Sequence, residues 1–237
     1  MAKNGPFIGV NAFLLEAENS SLIEVAKSLQ YSDANICVLE GNAEILQRDH
    51  PNTYNAILTC RHNRDSRTPI EYAQDLVASW VFEDYFVFKM NSIKAKYGFE
   101  VILAGADKGR EILTNKNVSA KSDCAFLYNG NRLPLEIMSD YTGYWSRTKK
   151  LDLRDSKYKS LVDESSVLIG ISTIDTKFLI LDCTDSNNKN VKYIPYHYAY
   201  HKPAYQVDLN NPDTRLIDFD IHEISKKLIA VLGKPSL

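Results

Sequence analysis

The sequence predicts a mixed α/β (α+β) fold in which a mixed central β-sheet is flanked by helices. Three observations carry that expectation: a long helix with a signed start, a series of short apolar strand segments in the middle, and a C-terminal helix signed at both ends. The coarse order is helix, three strands, helix, two strands, helix, and a sheet covered by helices is how such an order buries its apolar faces.

Residues 20–30, SSLIEVAKSLQ, place Leu22, Ile23, Val25, Ala26 and Leu29 on one helical stripe. A second helix opens at TPIEYAQDLVASW, where Thr68 suits the N-cap, Pro69 the first helical position and Glu71 the third, a capping box. About 20 residues of helix follow, apolar broadly enough to be buried on more than one side. FEVILAG reads as a short buried strand, and DKGREIL as a turn leading into a brief helix. A hairpin comes next: DCAFLYN, a turn at Gly130-Asn131, then RLPLEIM. TGYWSRTKKLD reads as a linker, and RDSKYKSLVDE as a helix with Tyr158, Leu161 and Val162 on one side. SVLIGIS and KFLILDC are two more strands, and YHYAYHKPAY an aromatic loop or strand. In DFDIHEISKKLIAVLG, Asp220 caps the last helix, Glu223 stands three residues on and Gly233 ends it.

A chain of 237 residues fits one domain, or a core with an added lobe, and can bury a sizeable core without disulfides. Its ordinary apolar and charged fractions exclude disordered and fibrous classes. No apolar run approaches the roughly 18 residues of a membrane span. Four cysteines, at 37, 60, 124 and 183, show no paired spacing, which points to reduced thiols in a cytoplasmic protein. The net charge of −2 is unevenly spread. Residues 1–107 hold 9 Lys and Arg against 14 Asp and Glu, residues 108–159 hold 11 against 6, and residues 160–237 hold 8 against 10. The basic block favours a polyanionic partner, because its cations surround acids instead of forming a tail.

Those acids are Asp123, at the head of one hairpin strand, and Glu136, inside the next between Leu135 and Ile137. A carboxylate half-buried in a sheet costs several kcal/mol unless a cation or donors meet it. Paired hard oxygen ligands on adjacent strands suit Mg²⁺, which keeps several waters and shares phosphate oxygens with a substrate. Capping by Asp123 and solvation of Glu136 on a one-sided strand are the alternatives.

The pattern Ser122-Asp123, twelve residues, then Glu136-Ile137-Met138, in this order of elements, resembles the PD-(D/E)xK nuclease superfamily and its restriction-endonuclease-like core. The resemblance spans roughly residues 69–182. It implies that Asp123, Glu136 and the Ile137 carbonyl hold Mg²⁺, and that the long helix adds an acid, for which Glu71 is the nearest candidate. Ser122 stands where the family has proline, and Met138 where it has the lysine that orients or activates the attacking water. Met has neither charge nor exchangeable proton. Lys121, Lys149, Lys150 and Lys157 are the local substitutes; Lys157 is preferred because its helix follows the hairpin.

Tyr144, Trp145, Arg147, Lys149 and Lys150 combine rings and cations as a DNA contact does. His197 and His201, four apart but flanked by Pro195 and Pro203, lack the glutamate of a zinc-protease helix. The resemblance implies a single nuclease domain over residues 1–237, with 1–68 and 184–237 as additions for recognition or dimerisation. It further implies a homodimeric, Mg²⁺-dependent type II restriction endonuclease acting on double-stranded DNA. A non-cutting nucleic-acid-binding protein on the same fold and a structure-selective resolvase are the alternatives.

Overall fold

The computed structural model describes residues 22–60, 67–105, 108–112, 122–184 and 188–233. The chain divides into two compact units, one of residues 1–86 and 105–120, the other of 87–104 and 121–237.

The first unit is helical: α1 (Leu22–Ser28), α2 (Asp33–Glu40), α3 (Ala43–Asp49), α4 (Pro51–Cys60) and most of α5 (Pro69–Ser92). The capping box forms, with the Thr68 N–H donating to Glu71 Oε2 at 2.7 Å and the Glu71 N–H to Thr68 Oγ1 at 3.2 Å. Its buried fastening is Arg110, whose guanidinium meets Glu83 at 2.9 Å and Asp84 at 2.5 Å. Tyr31 adds a hydroxyl donation to Asp84 at 2.5 Å. Pairing two acids with a cation and a phenol is what lets charges stay in a low-dielectric place. Residues 108–112 form a turn and an irregular segment there, not the helix expected; the remainder of that expected helix lies outside the described residues.

The second unit takes in the end of α5, then α6 (Lys94–Tyr97), β1 (Phe99–Leu103), β2 (Cys124–Tyr128), β3 (Asn131–Asp140), α7 (Tyr144–Thr148), β4 (Lys150–Arg154), α8 (Asp155–Asp163), β5 (Val167–Ser172), β6 (Lys177–Asp182), β7 (Val191–His197), β8 (Lys202–Asp208), β9 (Ile217–Asp218) and α9 (Ile221–Leu232). Six strands form a mixed sheet in the order β1-β2-β3-β5-β6-β9, in which only β3 and β5 run parallel. Parallel neighbours need a crossover, and here it is α7, β4 and α8. A second sheet, β4-β8-β7, is antiparallel. The presumed linker is therefore a short helix and a strand, and the aromatic segment is a hairpin. The β2–β3 turn lies one residue earlier than the sequence suggested: Asn129 and Gly130 both have positive φ, 49° and 77°. That is the primed two-residue loop for which Asn-Gly is the common sequence. Asp220 and Gly233 cap α9 as expected.

Every residue of β5 is buried. Its Gly170 opposes Met138 of β3, and an added Cβ there would lie 2.9 Å from Leu179 Cγ and 3.0 Å from Trp145 Cζ3. Gly170→Ala is expected to destabilise the protein by about 1–3 kcal/mol through overpacking. Urea denaturation checks this, and an unchanged midpoint would contradict the packing described.

Candidate active site

The site is built where two ladders part. β2 pairs with Asn131–Leu135 of β3, whereas β5 pairs with Leu135–Asp140. Past Leu135, β3 thus leaves its antiparallel neighbour, and Asp123, just before β2, fills the gap with its side chain. Asp123 Oδ2 accepts the Ile137 N–H at 2.9 Å, so a carboxylate takes the place of a ladder carbonyl. Meanwhile the Asp123 backbone carbonyl accepts the Ala104 N–H at 2.8 Å, tying the segment to the end of β1.

Glu136, one residue before Ile137, is only 8% exposed. Its carboxyl group is within hydrogen-bonding reach of Asp123, and Lys157 of α8 brings its ammonium directly onto Glu136 Oε1. Burial pushes the Glu136 pKa up to about 8, the Asp123 charge adds to the rise, and Lys157 opposes it. Burial and the Asp123 charge thus outweigh the Lys157 ammonium at Glu136. α8 also secures the other acid's backbone. Glu164, at the end of α8, accepts from the Ser122 N–H at 3.1 Å and from its hydroxyl at 2.6 Å. Ser122 Oγ lies 3.0 Å from Ser166 Oγ. Ser122 is therefore an anchor for Asp123, a role that needed Glu164, 42 residues away, to be seen.

Met138 lies on the Glu136 face of β3 and packs against the core cluster of Trp145, Leu168 and Leu179. A thioether is at home there, and the ammonium beside Glu136 is that of Lys157. The other substitutes stand differently: Lys149 and Lys150 are exposed on the α7–β4 connection, and Lys121 lies outside the described residues. Glu71 belongs to its capping box.

The expected DNA-contacting group is split. Trp145 is 4% exposed and is a core residue, because the missing Cβ of Gly170 opens room for its indole; its ring offers no outward stacking face. Tyr144 turns inward as well, donating its hydroxyl to the buried Asp152 at 2.7 Å. Arg147, Lys149 and Lys150 remain as exposed cations. His197 Nε2 approaches Asp152 at 3.3 Å, while His201 Nδ1 is 3.1 Å from the Tyr196 hydroxyl. Among the described residues no three His, Cys, Asp or Glu side chains gather as a metal cluster.

No protein-family model matches the chain, and no curated protein matches it. Among solved structures it is similar to Hjc of Archaeoglobus fulgidus, a Holliday junction resolvase from an archaeal hyperthermophile, at 12% identity and a TM-score of 0.35, over 61% of this chain and 95% of that one. Among the described residues no helix is long and apolar enough to cross a membrane.

The raised Glu136 pKa makes stability depend on pH. The folded state keeps a proton that the unfolded chain releases from 4.5 upward, so this contribution is full below that value and is lost as pH rises through about 8. In chelator-treated protein, the urea midpoint of wild type should fall relative to Glu136→Gln between about pH 5 and about pH 9. A midpoint difference that stays the same at both ends would contradict the burial of Glu136 beside Asp123.

Proposed function

We propose that the chain is a Mg²⁺-dependent endonuclease that hydrolyses phosphodiester bonds of double-stranded DNA, in the manner of a type II restriction endonuclease. One observation carries the reading: the carboxyls of Asp123 and Glu136 meet where β2 and β3 part, and Lys157 reaches Glu136 from α8.

The donor set fits the metal. A buried carboxyl whose proton affinity is raised by a neighbouring carboxylate is relieved by a divalent cation, and both Glu136 and Asp123 offer the hard oxygens that Mg²⁺ prefers. Asp123, Glu136 and the Ile137 carbonyl would hold the ion, which supplies charge neutralisation at the phosphate and a lowered pKa for a bound water. The chain's own groups do the rest. Asp123, held through Ile137 and Ser122, presents a fixed carboxylate with no rotamer search. Lys157, 40% exposed at its side chain, can turn its ammonium from Glu136 toward a phosphate oxygen once a cation neutralises the acid. Arg147, Lys149 and Lys150 give positive charge at the start of β4 for backbone phosphates. A homodimer would place two such centres on the two strands of one duplex.

With plasmid DNA and Mg²⁺, the protein should yield discrete fragments. Asp123→Asn and Glu136→Gln should each lower cleavage by several orders of magnitude while keeping DNA affinity or tightening it, because a charge that repels phosphate is gone. Variants that cut at near the wild-type rate would remove the assignment. Cutting of branched DNA in preference to plasmid would move the substrate to a junction.

A further inference from the structure

The β7–β8 hairpin has a composition that the acid pair does not explain. Residues 188–207 contain Lys189, Lys192 and Lys202 and five tyrosines, and the one acid of the two strands is Asp208 at the end of β8. Three tyrosine rings face solvent: Tyr193 is 48% exposed, Tyr196 60% and Tyr198 84%. The ladder is irregular between Ile194 and His197, and such bulges re-aim side chains. At the tip Tyr196 and Tyr198 flank His201, with ring centroids 6.4 and 6.0 Å from it, and the Tyr196 hydroxyl is bonded to His201 Nδ1. The Arg154 guanidinium lies 5.6 Å from the Tyr200 ring centroid, so a further cation stands beside the hairpin.

The hairpin is also firmly placed. Buried Asp152 of β4 accepts from Gln206 Nε2 at 2.8 Å, its backbone carbonyl accepts from the Tyr200 hydroxyl at 3.0 Å, and Tyr205 packs on Tyr158 of α8 with centroids 4.2 Å apart. Tyr158 is the neighbour of Lys157, so one helix carries the ammonium of the acid pair and the ring that seats the hairpin.

We propose that this hairpin is a stacking platform for unpaired bases of nucleic acid. Lysines on a segment whose one strand acid lies at its far end suit phosphates, and exposed rings suit base faces. A stacked duplex hides those faces and presents only edges in its grooves, so rings as exposed as Tyr198 match bases that have left the stack. The inference rests on the nuclease reading in taking nucleic acid as the partner, but it is tested by binding, not cleavage.

The experiment measures fluorescence anisotropy of labelled single-stranded and duplex oligonucleotides of equal length, with the full chain in chelator. Wild type should prefer the single strand. Tyr196→Ala/Tyr198→Ala should weaken single-strand binding on the order of tenfold or more while Tyr196→Phe/Tyr198→Phe retains it, since the ring does the work. Lys192→Gln/Lys202→Gln should reduce the salt slope by about 0.7 per lysine. The proposal is overturned by an alanine pair that binds like wild type, by preference for duplex, by loss of oligomeric state alone in the alanine pair, or by no binding to either strand form. Hairpin-dependent binding in a protein that does not cut would sink the nuclease reading and leave this one. Cutting with hairpin-independent binding would do the reverse.

Discussion

A carboxyl pair, Glu136 buried and Asp123 half-buried, governs the second unit. Two acids brought together out of water repel, and desolvation favours keeping one of them protonated. The chain meets that cost with two donors from different elements, the Ile137 N–H on Asp123 and the Lys157 ammonium on Glu136, and with the Ser122–Glu164 link that steadies the segment before Asp123. None of these would be needed by a strand that buried Val or Leu at position 136. The arrangement is costly as structure and sensible as a cation seat.

The helix α8 is where the constraints meet. Its first turn holds Lys157, its end holds Glu164, and Tyr158 between them packs on β8. It exists because β3 and β5 are parallel, so the chain must cross over between them, and the crossover lands beside the acids. A lysine two residues after Glu136 would have stood on the face that packs against Trp145 and Leu179, where an ammonium is expensive. Met138 fills that apolar place, and the cation comes from the crossover instead.

What the sequence disclosed was local. The Thr68–Glu71 box, the caps of α9, the β2–β3 hairpin and the two acids each follow from residues a few positions apart. The mixed sheet flanked by helices follows from their order. Non-local effects account for the rest. β4 reads as part of a linker although Lys150-Leu151-Asp152-Leu153-Arg154 alternates polar and apolar residues; Asp152, at a polar position, is nonetheless buried, satisfied by Gln206, 54 residues away, and by Tyr144. Trp145 looked like a nucleic-acid contact, and its burial depends on Gly170 in a later strand. The hairpin turn was off by one residue, although Asn129-Gly130 is a sufficient signal once read as the two loop positions. Ser122 looked like a mere departure from a family pattern until Glu164 came beside it.

The central claim is that the ammonium beside Glu136 is supplied by Lys157 in place of a lysine at 138. Single-turnover cleavage by Lys157→Met, compared with Lys157→Met/Met138→Lys, tests it most directly. The account predicts a rate loss of roughly a hundredfold or more in the single variant, the scale of losing one preorganised charge at a phosphate. It also predicts partial recovery in the double variant, with the fold of both checked by circular dichroism. A Lys157→Met protein that cuts at the wild-type rate would contradict it.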